Sequence, residues 1–323
     1  MLYPITLLPV LKERVWGGRN LARLYGKSLP PEVPIGESWE LTDRPEGVSI
    51  IANGPLAGKD LRWLMERHGE EVLGEVPQAG ARFPLLIKIL DAQEKLSLQV
   101  HPPAHLAAQM GGEPKTEMWY IADATPTADL FAGLKRGVTA AEFEAKISTG
   151  AVAECFHRIP VKPGDAMFLP SGRVHALGAG NVIFEIQQNS DTTYRVFDWN
   201  RLGLDGKPRD LHITQSLRSI DFTDFEPGLV STASSVQHGL EIRSLVRHEL
   251  FNVNLCQAGA GAPVPLRTAT MEILGVTAGR LRLEFAGGEL ILKAGQFCLL
   301  PARRVDVRID APEAATYLSV WRG

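Results

Sequence analysis

Two stretches of this chain repeat each other without a gap. Lys162-Pro-Gly-Asp-Ala-Met-Phe-Leu-Pro-Ser-Gly-Arg-Val-His175 and Lys293-Ala-Gly-Gln-Phe-Cys-Leu-Leu-Pro-Ala-Arg-Arg-Val-Asp306 keep lysine, glycine, proline and valine in register. Each reads as a glycine turn, a short strand, a proline turn and the start of a further strand. A unit of this kind cannot bury its apolar face alone, so its recurrence predicts two similar β units, each a double-sheet jelly roll. Glycine and proline, 31 and 22 residues, are spread between short apolar runs as many turn-linked strands require. Residues 223–240, rich in Ser, Thr, Gly and Gln, read as the connection. The expected organisation is therefore all-β, with one unit over residues 1–232 and a second over 233–323. Met271 to Leu292 alternates around paired glycines, as hairpins do.

Helices are expected only at the periphery. Asp60 caps a helix that buries Leu61, Leu64 and Met65 and breaks near Gly69, with His68 solvated. Thr139 and Glu142 form a capping box for a helix through Ile147, stopped by Gly150. Shorter helical pieces are expected at 103–109, ended by Gly111-Gly112, and within 205–218. Residues 2–10 read as a leading strand, followed by a tight turn at Val15-Trp16-Gly17-Gly18, where composition favours packing for Trp16. Residues 34–43 read as a strand with Glu37 and Glu40 on opposite faces, solvated or satisfied by backbone donors.

The chemistry concentrates between Lys95 and Tyr120. In an extended strand Ser97, Gln99 and His101 share one face while Leu98 and Val100 share the other. A buried face of this kind needs partners, since an unpaired polar group costs roughly 1–3 kcal/mol. A metal ion is one such partner. Lys115-Thr-Glu117 repeats the alternation on the next strand and adds a carboxylate. His175, taken singly, reads as a core histidine, but with His101 and Glu117 it completes a donor set. Gln99, His101, Glu117 and His175 offer two imidazoles, a carboxylate and an amide oxygen, which suits Zn²⁺; Fe²⁺, Mn²⁺ or Co²⁺ fit as well. Two histidines and a carboxylate also match the facial triad of an iron oxygenase, an alternative that the amide and the nearby lysines disfavour. In the second repeat Asp306 replaces His175 and no Gln-x-His precedes it, so that unit is expected to be metal-free and structural.

The 323 residues are 45% hydrophobic, enough for two cores, and carry a formal net charge of −3 without a dense basic run. Nucleic acid and anionic membrane are therefore not expected as partners. Cys155, Cys256 and Cys298 lie far apart without a CxxC and read as buried free thiols of a reducing compartment. With no leader-like N-terminus and no apolar run of membrane-spanning length, a cytoplasmic protein is expected. The lack of an obvious association helix suggests a monomer or weak homodimer.

The motifs Leu96-Ser-Leu-Gln-Val-His-Pro102, Lys115-Thr-Glu117 with Trp119-Tyr120, Pro170-x-Gly172-x-x-His175-Ala-Leu and Ser190-Asp-x-x-Tyr-Arg195 together resemble the type I phosphomannose isomerases, zinc-dependent enzymes of the cupin superfamily, in their short bacterial form. The resemblance spans essentially the whole chain. It implies two cupin-type jelly rolls and a Zn²⁺ held by Gln99, His101, Glu117 and His175. It further implies Arg195 as the active-site arginine, pocket positions for Lys88, Lys115, Ser97 and Glu185, and Trp16 at the pocket mouth. Pro103 departs from the family, where an acidic residue often follows His-Pro. The implied reaction interconverts mannose 6-phosphate and fructose 6-phosphate through an enediol, which needs a base and stabilised oxygens. Glu185 is the first candidate base, with a lysine or a metal-bound water behind it, and Lys115 is counted among the catalytic residues. The rival classes are another metal-dependent cupin enzyme, such as an oxygenase, and a non-catalytic sugar-phosphate-binding protein.

Overall fold

The computed structural model describes residues 1–237 and 239–323. The chain is all-β with peripheral helices, as expected. In the first unit, strands Phe156–Pro160, Asp129–Leu134, His175–Leu177, Leu98–Val100 and Tyr194–Phe197 form one sheet in that order. Strands Ala166–Leu169, Glu117–Ala124, Asn181–Gln188, Leu85–Ala92, Ile35–Leu41 and Val10–Gly18 form the sheet that faces it. Leu130, Ala132 and Leu177 of the first meet Leu90, Trp119, Ile121 and Ile183 of the second in a shared inner core. The outer side of the first sheet is covered by helix Ala140–Thr149 and the turn after it, where Phe143, Val152 and Cys155 pack on Leu98, Val100 and Phe131.

The second unit has its own pair of sheets. Strands Ser234–Gln237, Leu240–Arg247, Asn252–Ala258, Ala315–Trp321, Glu272–Ala278 and Phe297–Leu300 form the larger, and Gly288–Lys293, Arg280–Phe285 and Val307–Asp310 the smaller. The two large sheets, one from each unit, lie back to back. Ile87, Ile89, Met118, Phe184 and Ile186 pack in one cluster with Val253, Leu255, Ile273, Phe297, Leu318 and Val320. Strands Leu85–Ala92 and Asn181–Gln188 are thus buried on both faces, with Lys88 and Glu185 among their buried residues. The chain start also crosses over: Ile5 pairs with Leu299 and Leu2 with Arg304.

The repeated turn is the same structure twice. Lys162 N donates to Asp165 Oδ2 (2.9 Å) and Lys293 N to Gln296 Oε1 (2.8 Å), with Gly164 and Gly295 at φ 94° and 79°. Only glycine adopts such φ values freely. The three cysteines are buried and free.

Three expectations need correction. Residues 15–18 are not a tight turn but the end of strand Val10–Gly18, whose register is irregular. Gly17 is needed for close approach instead: a Cβ there would lie 2.4 Å from Gly36 N. The helix begun by Asp60 runs through Gly69 to Leu73, because Val72 and Leu73 still bury apolar surface, and Gly74 at φ 89° ends it. Glu37 and Glu40 are neither solvated nor held by backbone donors; both are buried and bonded to side chains, Glu40 to Lys27 (2.7 Å) and Ser38 (2.5 Å).

Candidate active site

Alternation along three strands builds the floor of the site. Gln99 on Leu98–Val100 pairs directly with His175, and Glu117 opens the neighbouring strand of the facing sheet. His101 and His175 are 1% exposed and Glu117 0%. Glu117 Oε2 lies 3.6 Å from His101 Nε2, and Oε1 lies 3.3 Å from His175 Nε2. Their ligand atoms all fall within 4.8 Å of one another, the one such cluster of His, Cys, Asp and Glu among the described residues. Each ring fixes its other nitrogen: His101 Nδ1 donates to Thr192 O (2.8 Å) and His175 Nδ1 to Arg173 O (2.9 Å). That arrangement leaves an Nε2 lone pair on each ring aimed at Glu117.

The electrostatics favour the same protonation states. Burial and then the charge of Lys115 push His101 down to about 3, against the pull of Glu117. Burial likewise lowers His175, with Glu117 opposing it. Burial works to raise Glu117, but Lys115 (3.0 Å from its Oε2) and His101 outweigh it and hold the carboxylate well below its ordinary range. For Lys115 burial acts downward, yet Glu117, Glu185 and Asp191 hold the ammonium above its ordinary value. Two neutral imidazoles and a carboxylate are the forms that bind a cation. His101 Nε2 and Glu117 Oε1 are buried without a hydrogen-bond partner, a costly arrangement that a divalent ion would resolve. Gln99 turns Nε2 toward His175 (3.4 Å) and accepts Ser97 Oγ at Oε1 (3.3 Å); a half-turn of the amide would offer the oxygen instead.

Above this floor is a cavity of about 520 Å³. Trp16, Lys88, Ser97, Gln99, Lys115, Glu185 and Arg195 all line it. Trp16 is 3% exposed and packs in the inner core while forming part of the wall, so packing and pocket lining are one role. Glu185 Oε2 sits 3.2 Å from Lys88 Nζ, and its Oε1 accepts from Trp119 Nε1 (2.9 Å). Burial raises the Glu185 pKa, with Lys88 pulling it down and Glu117 adding to the rise. Arg195 donates from Nη1 to Asp210 O (2.8 Å), while its Nε is buried without a hydrogen-bond partner.

Sequence reasoning missed several lining residues. Glu37 accepts from Arg14 Nε (2.7 Å) and Trp39 Nε1 (2.6 Å), with Lys88 Nζ 3.9 Å away. Burial acts to raise it, but Lys88 and Arg14 prevail and hold it at about 2. Asp191, Arg209 and His212 also line the cavity, and Asp198 fixes Arg209 through two bonds of 2.6 Å. Asp191 lies inside the Ser190-Asp-x-x-Tyr-Arg195 motif, a signal that could have found it; Glu37 and Arg209 carried none. No helix among the described residues is long and apolar enough to cross a membrane.

Residues 5–123 match the family model of the phosphomannose isomerase type I catalytic domain. A mannose-6-phosphate isomerase of Streptococcus mutans is 36% identical, covering 93% of each chain. Mannose-6-phosphate isomerase ManA of Bacillus subtilis is 42% identical over 68% of each. The crystal structure of a mannose 6-phosphate isomerase from Bacillus subtilis superposes with a TM-score of 0.90 at 36% identity, covering 99% of this chain and 100% of that one.

Proposed function

The chain belongs to the type I phosphomannose isomerase family, and from that premise we propose that it interconverts mannose 6-phosphate and fructose 6-phosphate by moving a proton between C1 and C2 through an enediol. The observation that carries this reading is the buried His101–Glu117–His175 cluster, with unpartnered donor atoms, beneath a cavity walled by Lys88, Glu185 and Arg195. Gln99, His101, Glu117 and His175 would hold the ion, for which Zn²⁺ suits the donors. A bound divalent cation would supply Lewis-acid polarisation of a sugar oxygen.

The chain's own residues do the rest. Glu185 is the base: it faces the cavity, and a carboxyl raised toward neutral pH accepts and returns a proton efficiently. Arg195, charged at any working pH, stabilises the enediolate oxygens with a fixed fork of donors. Lys115 keeps Glu117 ionised and reaches toward the sugar, while Lys88 and Ser97 bind substrate oxygens and Trp16 forms the wall beside them. Lys88 also holds Glu185 in place through its 3.2 Å contact. Residues 1–232 form the catalytic domain and 233–323 the second domain. The protein works in the cytoplasm as a monomer or weak homodimer on a small sugar phosphate.

The deciding experiment is a coupled assay of both hexose phosphates. Arg195→Ala should keep its metal content while kcat falls by several orders of magnitude, and unchanged kcat would reject its role. His101→Ala should lose metal and turnover together. Full activity in metal-stripped protein would sink the reading.

A further inference from the structure

The second unit repeats the first well beyond its glycine turn. Leu169 lies opposite Glu117 in one ladder, and Leu300, its counterpart in the repeat, lies opposite Glu272. Glu272 therefore occupies the place of the carboxylate that faces the two histidines. Following the ladders inward, Glu185 pairs with Trp119 and Lys88. Ser319 pairs with Leu274 and Asn254, so it stands where Glu185 stands and Asn254 where Lys88 stands. Asp306, in the place of His175, is exposed.

These counterparts line a cavity of about 640 Å³ on the sheet face turned away from the first unit. Glu272, Asn254 and Ser319 are buried, at 3%, 7% and 5% exposure. Glu272 accepts from Ser319 Oγ and, through Oε2, from Arg267 N (3.2 Å). Two guanidiniums enter the cavity wall from Arg247 and Arg267, lying 4.9 and 3.2 Å from the Trp321 ring centroid. Arg247 Nη2 donates to Asn254 Oδ1 (2.7 Å) and its Nη1 to Val246 O (2.7 Å) and Val253 O (3.3 Å), whereas Arg267 Nε, 4.0 Å from Glu272 Oε1, is buried without a hydrogen-bond partner. Among the described residues Glu272 is the only carboxylate in the lining, and no imidazole is present. The cavity thus carries two cations against one anion. Burial, and then the charge of Arg267, lowers the Arg247 pKa.

We propose that this cavity is a second binding site, selective for a small phosphate-bearing ligand. Arg247 and Arg267 hold the oxyanion with charge-assisted hydrogen bonds, for which planar guanidiniums are suited. Glu272, Asn254 and Ser244 are left to meet hydroxyls on the same ligand. The inference stands on the second unit alone and does not depend on the reaction in the first.

Hydrogen exchange read segment by segment separates the two cavities. Inorganic phosphate added to the full-length, metal-loaded protein should slow exchange in 265–272 and 252–257, compared with chloride at matched ionic strength. The Arg247→Gln/Arg267→Gln double variant should raise the half-saturating phosphate concentration for those segments about tenfold or more. Its turnover and any protection at 97–101 should stay unchanged. No slowing at 265–272 in the wild type overturns the proposal whether or not the double variant folds; slowing of equal midpoint in a folded double variant overturns it too. A second arm uses a hexitol 6-phosphate, which has no carbonyl to isomerise. Tighter binding than phosphate, lost in Glu272→Gln, identifies a phosphorylated polyol; equal binding identifies free phosphate, and either upholds the oxyanion site.

Discussion

Glu185 is poised by neighbours that can be removed one at a time. Burial holds its pKa above the ordinary 4.5, and the Trp119 Nε1 hydrogen bond favours the charged form and so opposes that rise. If Glu185 accepts the proton, kcat/KM should fall on the acid side with a midpoint above 4.5, and Trp119→Phe should move that midpoint higher. A pH–rate profile checks this, and a midpoint that stays put or moves down would count against Glu185. Glu37 makes the opposite case. Its depressed pKa contributes stability that is present above the ordinary carboxylate value and is lost as pH falls through about 2. Glu37→Gln should cost about 3–5 kcal/mol in denaturant unfolding at neutral pH, because Arg14 and Lys88 lose a buried counter-charge. The face of Ser97, Gln99 and His101 could be read from strand alternation, since those residues are neighbours in sequence. The environment of Glu37 could not, since Arg14 and Lys88 reach it from two other strands.

Strand Val10–Gly18 depends on a backbone approach that tolerates no side chain. Gly17→Ala would place a methyl 2.4 Å from Gly36 N, and a Cβ on Gly36 would in turn lie 2.7 Å from the Trp16 ring. Gly17→Ala should cost about 1–3 kcal/mol and raise KM through displacement of Trp16, measurable by chemical denaturation and steady-state kinetics. Thr139→Ala should cost about 1 kcal/mol, through loss of its bond from Glu142 N, and leave kcat unchanged. Helix starts were legible here because Asp60 and Thr139 cap through their own side chains. The end of the first helix was not, because Gly69 looks like a stop until its packing against Pro77 is seen. Val15 to Gly18 misled for the same reason: the glycines that suggest a turn serve an interstrand contact.

The two units are joined by a common core rather than by the linker alone. Phe184 and Ile186 lie on the same strand as Glu185 but on its opposite face, against Phe297 and Leu318. Phe184→Ala should cost about 3–5 kcal/mol by thermal or denaturant unfolding. Residues 1–232 expressed alone should aggregate, since they would expose Ile87, Ile89, Met118, Phe184 and Ile186 together; a soluble, active fragment would overturn this. The internal repeat made the pairing of two jelly rolls legible, but no local pattern says which faces of two apolar strands meet. The crossing of Ile5 to Leu299 was hidden likewise, as the partners lie at opposite ends of the chain. A screen for variants that lose turnover would consequently collect positions such as Phe297 and Leu318, which never approach the sugar. Transplanting the pocket into a smaller scaffold would have to bring that distant half along.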